Sequence, residues 1–335
     1  MGLSTATSRL VLGGALLLAA GLTACSGNGA ESSSQPIPRV GLMHVGTDHI
    51  PPSLPTLEAR LKQMGWVDGR TIKLLWRNLE PEQAHARAKE LVRERVNVIV
   101  AFEDQSIRAA QAATAKVKIP VVFLHPSDPV RDGLVKSLSH PGGNLTGIFG
   151  ARDVVAKQLE LYELIVPGLH RVLTLIDPND PATGRLLAQY RAAASQLARP
   201  VQLVIRKAST PNDLRRVFHS LRPEEVDGAF LLSPTLRLND SALTIRLATH
   251  AKLPVQAHRK DWVKKGALFS YGADLGPIGR RAARYVDRIL KGTPPSELAV
   301  EEVPDVEFAI NLKTASRLGI RVPQQMIIRA DEVYR

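Results

Sequence analysis

The residues of this 335-residue chain whose types could do chemistry fall in short clusters, each just after an apolar run. In the first half, Thr47 and Asp48 follow one run, Phe102, Glu103, Asp104 and Ser106 close a second, and His125, Ser127 and Asp128 close a third. The second half repeats the arrangement with Asp177 and Asn179, Ser233 and Thr235, and His258 and Asp261, while Tyr271 lies on a later run. Catalysis is not what these clusters suggest. The sequence has no Gly-rich phosphate loop ending in Gly-Lys-Ser/Thr, no Gly-x-Ser-x-Gly elbow and no His-Glu-x-x-His. His44 and His49 have no cysteine or paired acid at metal-ligand spacing, so neither a metal nor a cofactor is expected and no catalytic residue can be named. Hydroxyls, carboxylates and imidazoles grouped in this way can instead hold a small polar molecule. Each also has a plainer role. Asp128-Pro129, Asp177-Pro178 and Ser233-Pro234 are turn signatures, and Asp or Ser at a helix start is a cap worth about 1 kcal/mol.

The elements that must position these clusters alternate regularly. Strands are predicted at Arg39 to Val45, Ile72 to Trp76, Val96 to Phe102, Val121 to His125 and Thr146 to Ile148. Helical stretches are predicted near Leu54 to Met64, Gln83 to Arg93, Ser106 to Ala115 and Gly133 to Leu138. Largely apolar runs such as Val96-Asn97-Val98-Ile99-Val100 suit strands buried on both faces of a parallel sheet. The order then begins again, with strands at Val172 to Ile176, Val201 to Ile205, Gly228 to Leu232 and Val255 to Ala257. The fold class is therefore α/β, with two doubly wound, Rossmann-like lobes. Open sheets of this kind bind ligands beyond the carboxyl ends of their strands, where all the clusters lie.

At the amino terminus, Arg9 precedes an apolar run from Leu10 to Ala20, and Leu22-Thr23-Ala24-Cys25 follows. This is the pattern of a secretion signal over residues 1–24, and its apolar run is too short to span a bilayer. Leu-Thr-Ala-Cys resembles the lipobox of bacterial lipoproteins, which implies lipidation of Cys25 after cleavage. Residues 25–38, rich in Gly, Ser and Pro, read as a tether. With one cysteine in the whole chain, no internal disulfide can form. Lys and Arg total 44 against 32 Asp and Glu, but the charges are scattered and no nucleic-acid-binding motif is visible. The basic excess suits a solvated surface facing anionic lipid.

Four stretches carry a more specific resemblance: MGWVDGRTI (Met64 to Ile72), IPVVFLHPSDPVRDGLVKSLSHPGGNLTGI (Ile119 to Ile148), ALFSYGADLGPIGRRAA (Ala267 to Ala283) and ILKGTPPSEL (Ile289 to Leu298). Together they resemble the substrate-binding proteins of ABC importers, in the group related to tryptophan and tyrosine binders, over nearly all of residues 39–335. That resemblance implies a type I periplasmic binding fold, whose two lobes are joined by a three-strand hinge and close on a small ligand. The expected ligand is an amino acid or a similar polar metabolite, and the expected partner is an ABC permease or, alternatively, a membrane sensor or histidine kinase. The expected protein is a monomeric, periplasmic lipoprotein that is anchored to a membrane, binds no nucleic acid and is not an enzyme. The first lobe is expected to comprise 39–148 and about 270–295, and the second 149–269 and about 296–335. One departure stands out: many relatives have a small neutral turn after the third strand, where this chain has Glu103-Asp104-Gln105.

Overall fold

The computed structural model describes residues 36–335 apart from 46–49, 80, 127, 152–153, 181, 234–235 and 237–239. The folded body runs from Ile37 to Arg335. Among the described residues no helix is long and apolar enough to cross a membrane.

The first lobe is built on six strands: β1 (Arg39–Val45), β2 (Lys73–Leu79), β3 (Val98–Phe102), β4 (Val121–Leu124), β5 (Leu145–Gly150) and β11 (Glu301–Val303). Their order is β11-β5-β4-β3-β1-β2, and every pairing is parallel. The pleat sends alternate residues to opposite faces. Val98, Val100 and Phe102 thus pack against helices α1 (Ser53–Gln63) and α9 (Leu275–Leu290), while Ile99 and Ala101 meet α2 (Ala84–Arg93) and α3 (Glu103–Thr114). Burial on both faces explains why β3 is apolar throughout. Gly279 is needed where α9 crosses α1, because a Cβ there would overlap the Ser53 carbonyl oxygen.

The second lobe contains β6 (Arg171–Ile176), β7 (Gln202–Lys207), β8 (Gly228–Leu231), β9 (Gln256–Ala257), β10 (Phe269–Ala273), β12 (Val306–Asn311) and β13 (Glu332–Tyr334). Strands β7-β6-β8 and β13-β12-β10-β9 are joined by a parallel bridge from Ala229 to Val255. On one face lie α4 (Val155–Ile165) and α5 (Thr183–Gln196), with α10 (Leu312–Arg317) and α11 (Gln324–Arg329). On the other face are α6 (Pro211–Ser220), α7 (Ser241–His250) and α8 (Lys260–Lys264). Tyr162 stitches the centre: its buried hydroxyl accepts from the Ala229 N–H at 2.8 Å and donates to the Pro254 carbonyl at 2.7 Å.

The chain passes between the lobes three times: after Gly150, between Ala273 and Leu275, and between Val303 and Val306. The last two crossings are tied by the Asp274 N–H donating to the Asp305 carbonyl at 2.9 Å. At the first, a Cβ on Gly150 would collide with the Ala273 side chain. The final crossing follows β11, which pairs with β5 of the first sheet, so residues 301–303 lie in the first lobe's sheet rather than past a boundary near 296. The helix expected over Gly133 to Leu138 is instead a series of turns, because Pro141 and the Gly133 backbone (φ 69°) suit a folded-back loop.

Candidate functional site

Two of the loops that follow first-lobe strands leave their strands with unusual backbone. Glu103, directly after β3, has φ 65°, and His125, directly after β4, has φ 62°. Left-handed backbone is uncommon for residues other than glycine and is often retained where a site requires it. Both residues line a cleft of about 570 Å³ between the lobes. Its first-lobe wall carries Glu103, Asp104, His125, Asp128 and Arg131. Helix α3 begins at Glu103, three residues earlier than expected, and the residue at its N-cap is Phe102. Asp104 therefore lies inside the first turn, where a carboxylate is favoured by the helix dipole, rather than before it as a cap.

The second-lobe wall comes from two places. Helix α4 supplies Gln158, and α5 presents Arg185, Leu186, Gln189 and Tyr190 from one face. Tyr190 Oη donates to Gln158 Oε1 at 2.6 Å, and Gln158 Nε2 donates to the Tyr271 carbonyl at 2.7 Å, which locks the amide in place. The segment after β9 supplies His258, Arg259 and Trp262. The His258 and Trp262 rings stack at 5.8 Å, and the Arg259 guanidinium lies 5.9 Å from the centroid of the Trp262 ring. Arg259 is further held by Asp261 through Nε at 2.9 Å and Nη2 at 3.0 Å.

Electrostatics couples the two walls. The His125 pKa is lowered to about 3, first by burial and then by the positive charge of Arg259 from the other lobe. The imidazole is therefore neutral at ordinary pH, and its Nε2 lies 2.8 Å from Ser53 Oγ. A second link is ionic: Arg185 Nη2 lies 3.6 Å from Asp132 Oδ2, across the cleft, while Arg108 Nη2 of the first lobe stands 3.9 Å from the other oxygen.

The structure thus brings five of the expected residues, Glu103, Asp104, His125, Asp128 and His258, to one cavity. Others serve the scaffold. Phe102 is fully buried in the first-lobe core, edge-on to His44 at 6.5 Å, because β3 is covered on both faces. Ser106 is buried in α3. Asp177 accepts at Oδ1 from the Asn179 N–H at 2.9 Å and from Ser209 Oγ at 2.7 Å, and its own N–H donates to Ser233 Oγ at 2.8 Å. Asp177, Asn179 and Ser233 therefore shape the turn after β6 and are not among the residues that line the cavity. Asp261 holds Arg259, and the Tyr271 ring packs edge-on to Phe308 at 6.4 Å. Thr47, Asp48, Ser127, Thr235 and Cys25 lie outside the described residues.

Reading strand ends missed the cleft residues carried by helices and by the far side of each turn, chiefly Arg131, Gln158, Arg185, Tyr190, Arg259 and Trp262. A signal was present on α5, where Arg185, Leu186, Gln189 and Tyr190 recur at helical spacing on one face.

Two α/β lobes, three crossings and one cavity walled by both lobes define a binding protein of the type I periplasmic class. The chain matches the family model described as ABC transporter substrate binding protein over residues 55–334, and it belongs to that family. It is 25% identical over 263 residues to the tyrosine-binding protein of Clostridioides difficile (strain R20291), covering 78% of this chain and 74% of that protein. It is also similar to the structure of a conserved domain protein from Vibrio cholerae, with 27% identity, TM-score 0.80, and coverage of 88% of this chain and 99% of the other. A Streptococcus pneumoniae ABC domain in complex with L-Trp shares the fold at 20% identity, TM-score 0.78, with coverage of 89% and 99%. The chain is thus an ABC transporter substrate-binding protein, of a family that works outside the cytoplasm.

Proposed function

We propose that this chain is an exported lipoprotein, anchored through Cys25, that captures an amino acid or similar polar metabolite as a monomer and delivers it to an ABC permease. The observation that carries the reading is the cleft itself, about 570 Å³ and walled by charged and hydrogen-bonding side chains from both lobes. That volume lies within the range of small-molecule sites. Its mixed walls, with carboxylates and guanidiniums beside the Trp262 indole, suit a compact ligand with polar groups and an apolar body. The names of the relatives point to the same ligand class. Closure would follow from ligand touching both walls, since only the closed form offers both sets of contacts.

A thermal-shift screen of amino acids and small metabolites against the purified soluble chain tests the ligand class. A ligand at a hundred times its dissociation constant should add about 2.7 kcal/mol of stability. No stabilisation across such a panel would refute it. For the anchor, Cys25→Ser should give unprocessed or released protein, and a variant still processed and membrane-bound would refute lipidation at that residue.

A further inference from the structure

The charges on the two cleft walls are of opposite sign. The first lobe contributes Glu103, Asp104 and Asp128, with Arg131 exposed and the half-buried His125 neutral. Among the described residues, the second lobe contributes no carboxylate to the cavity wall, but two guanidiniums, Arg185 and Arg259. Their counter-ions, Asp132 and Asp261, are not among the residues that line the cavity. Arg259 is only 9% exposed and spends Nε and Nη2 on Asp261, which leaves Nη1 for another acceptor. Beside it, Trp262 is 2% exposed, and its indole Nε1–H has no hydrogen-bond partner among the described residues.

A buried donor without an acceptor is costly and rare, and at the wall of a binding cavity it indicates that a bound molecule supplies the acceptor. Trp262 is already held by its own stacking on His258 and by the Arg259 guanidinium, so the ring is fixed before any ligand arrives. Arginine and indole donors together favour an oxyanion, above all a planar carboxylate that can take two of them at once.

Resting on the reading of this cleft as the ligand site, we propose that the ligand is bipolar and bound in one sense. Its carboxylate or equivalent oxyanion lies on Arg259 and the Trp262 indole of the second lobe, and its cationic group faces Glu103 and Asp104 of the first. Neither end is then satisfied until both lobes engage, so a molecule with one charged end binds without completing the site.

Calorimetry decides the matter with the twenty standard L-amino acids as probes, each that binds being compared with its decarboxylated amine and its deaminated acid. Trp262→Phe keeps the ring and removes the donor. It should raise the Kd of the amino acid and of the deaminated acid by about 3- to 10-fold and leave the amine within about twofold. Glu103→Gln should do the reverse, weakening the amino acid and the amine by about ten- to a hundredfold and sparing the acid. Thermal melting of the empty variants checks that each is folded. Binding in which the two variants act on the opposite ends, or in which neither separates acid from amine, overturns the polarity while leaving the cleft as the ligand site. Silence of wild-type protein with every probe overturns the amino-acid class, and this inference with it.

Discussion

Asp132 and Arg185 form an ion pair across the cleft, and removing it should shift the lobes toward an open arrangement. At the observed 3.6 Å, two unit charges in an effective dielectric near 20 attract by roughly 4–5 kcal/mol. Much of this is offset. The side chains keep 18% and 14% of their exposure, so part of their hydration is lost on closure, and Arg108 stays near Asp132 in either form because both belong to the first lobe. A net contribution of about 1–2 kcal/mol lies between the values for exposed and fully buried pairs. Such a loss changes a two-state ratio by about 5- to 30-fold. The assay is small-angle X-ray scattering of the empty protein, comparing wild type, Asp132→Asn, Arg185→Gln and Arg108→Gln. The first two should expand the molecule, and raising the salt concentration should expand wild type toward them. Arg108→Gln removes a charge beside the same carboxylate without cutting a link between lobes, so it should not. Scattering from Arg185→Gln that matches Arg108→Gln would refute the argument that this pair holds the lobes together.

Acid should weaken the fold through His125. Its folded-state pKa near 3 lies below the ordinary 6.5, so the unfolded chain takes up the proton first and stability is lost as pH falls from about 6.5 toward 3. Urea unfolding at pH 7 and pH 4.5 should show a larger drop for wild type than for His125→Asn, and equal drops would exclude the imidazole as the cause. Gly279→Ala should destabilise the first lobe by about 1–3 kcal/mol, because the new methyl would overlap the Ser53 carbonyl where α9 crosses α1. An unchanged melting temperature would mean that the two helices separate without penalty.

The two-lobed α/β architecture was legible in the sequence because backbone geometry and burial write it locally. Val98-Ile99-Val100 is apolar on both faces since helices cover both sides of β3, and the strand-helix order is carried by such runs one after another. The clusters after β3 and β4 were legible for a similar reason: the residues following a buried parallel strand emerge at its carboxyl end, where Glu103 and His125 now stand. What depended on contacts distant in sequence was not. Asp177 and Ser233 look like Glu103 and His125 in sequence, yet 56 residues apart they bond to each other and close a turn. Phe102 looked like a cleft contact until α1 and α9, the latter more than 170 residues further on, covered its side of the sheet. Arg185 and Trp262 reach the cavity only because α5 and α8 pack on the second sheet with those faces turned to the first lobe. Local pattern determines which elements form and which residues sit at their ends. Which of those residues share one cavity depends on long-range packing, where the burial of apolar faces decides the outcome and leaves no local trace in the chain.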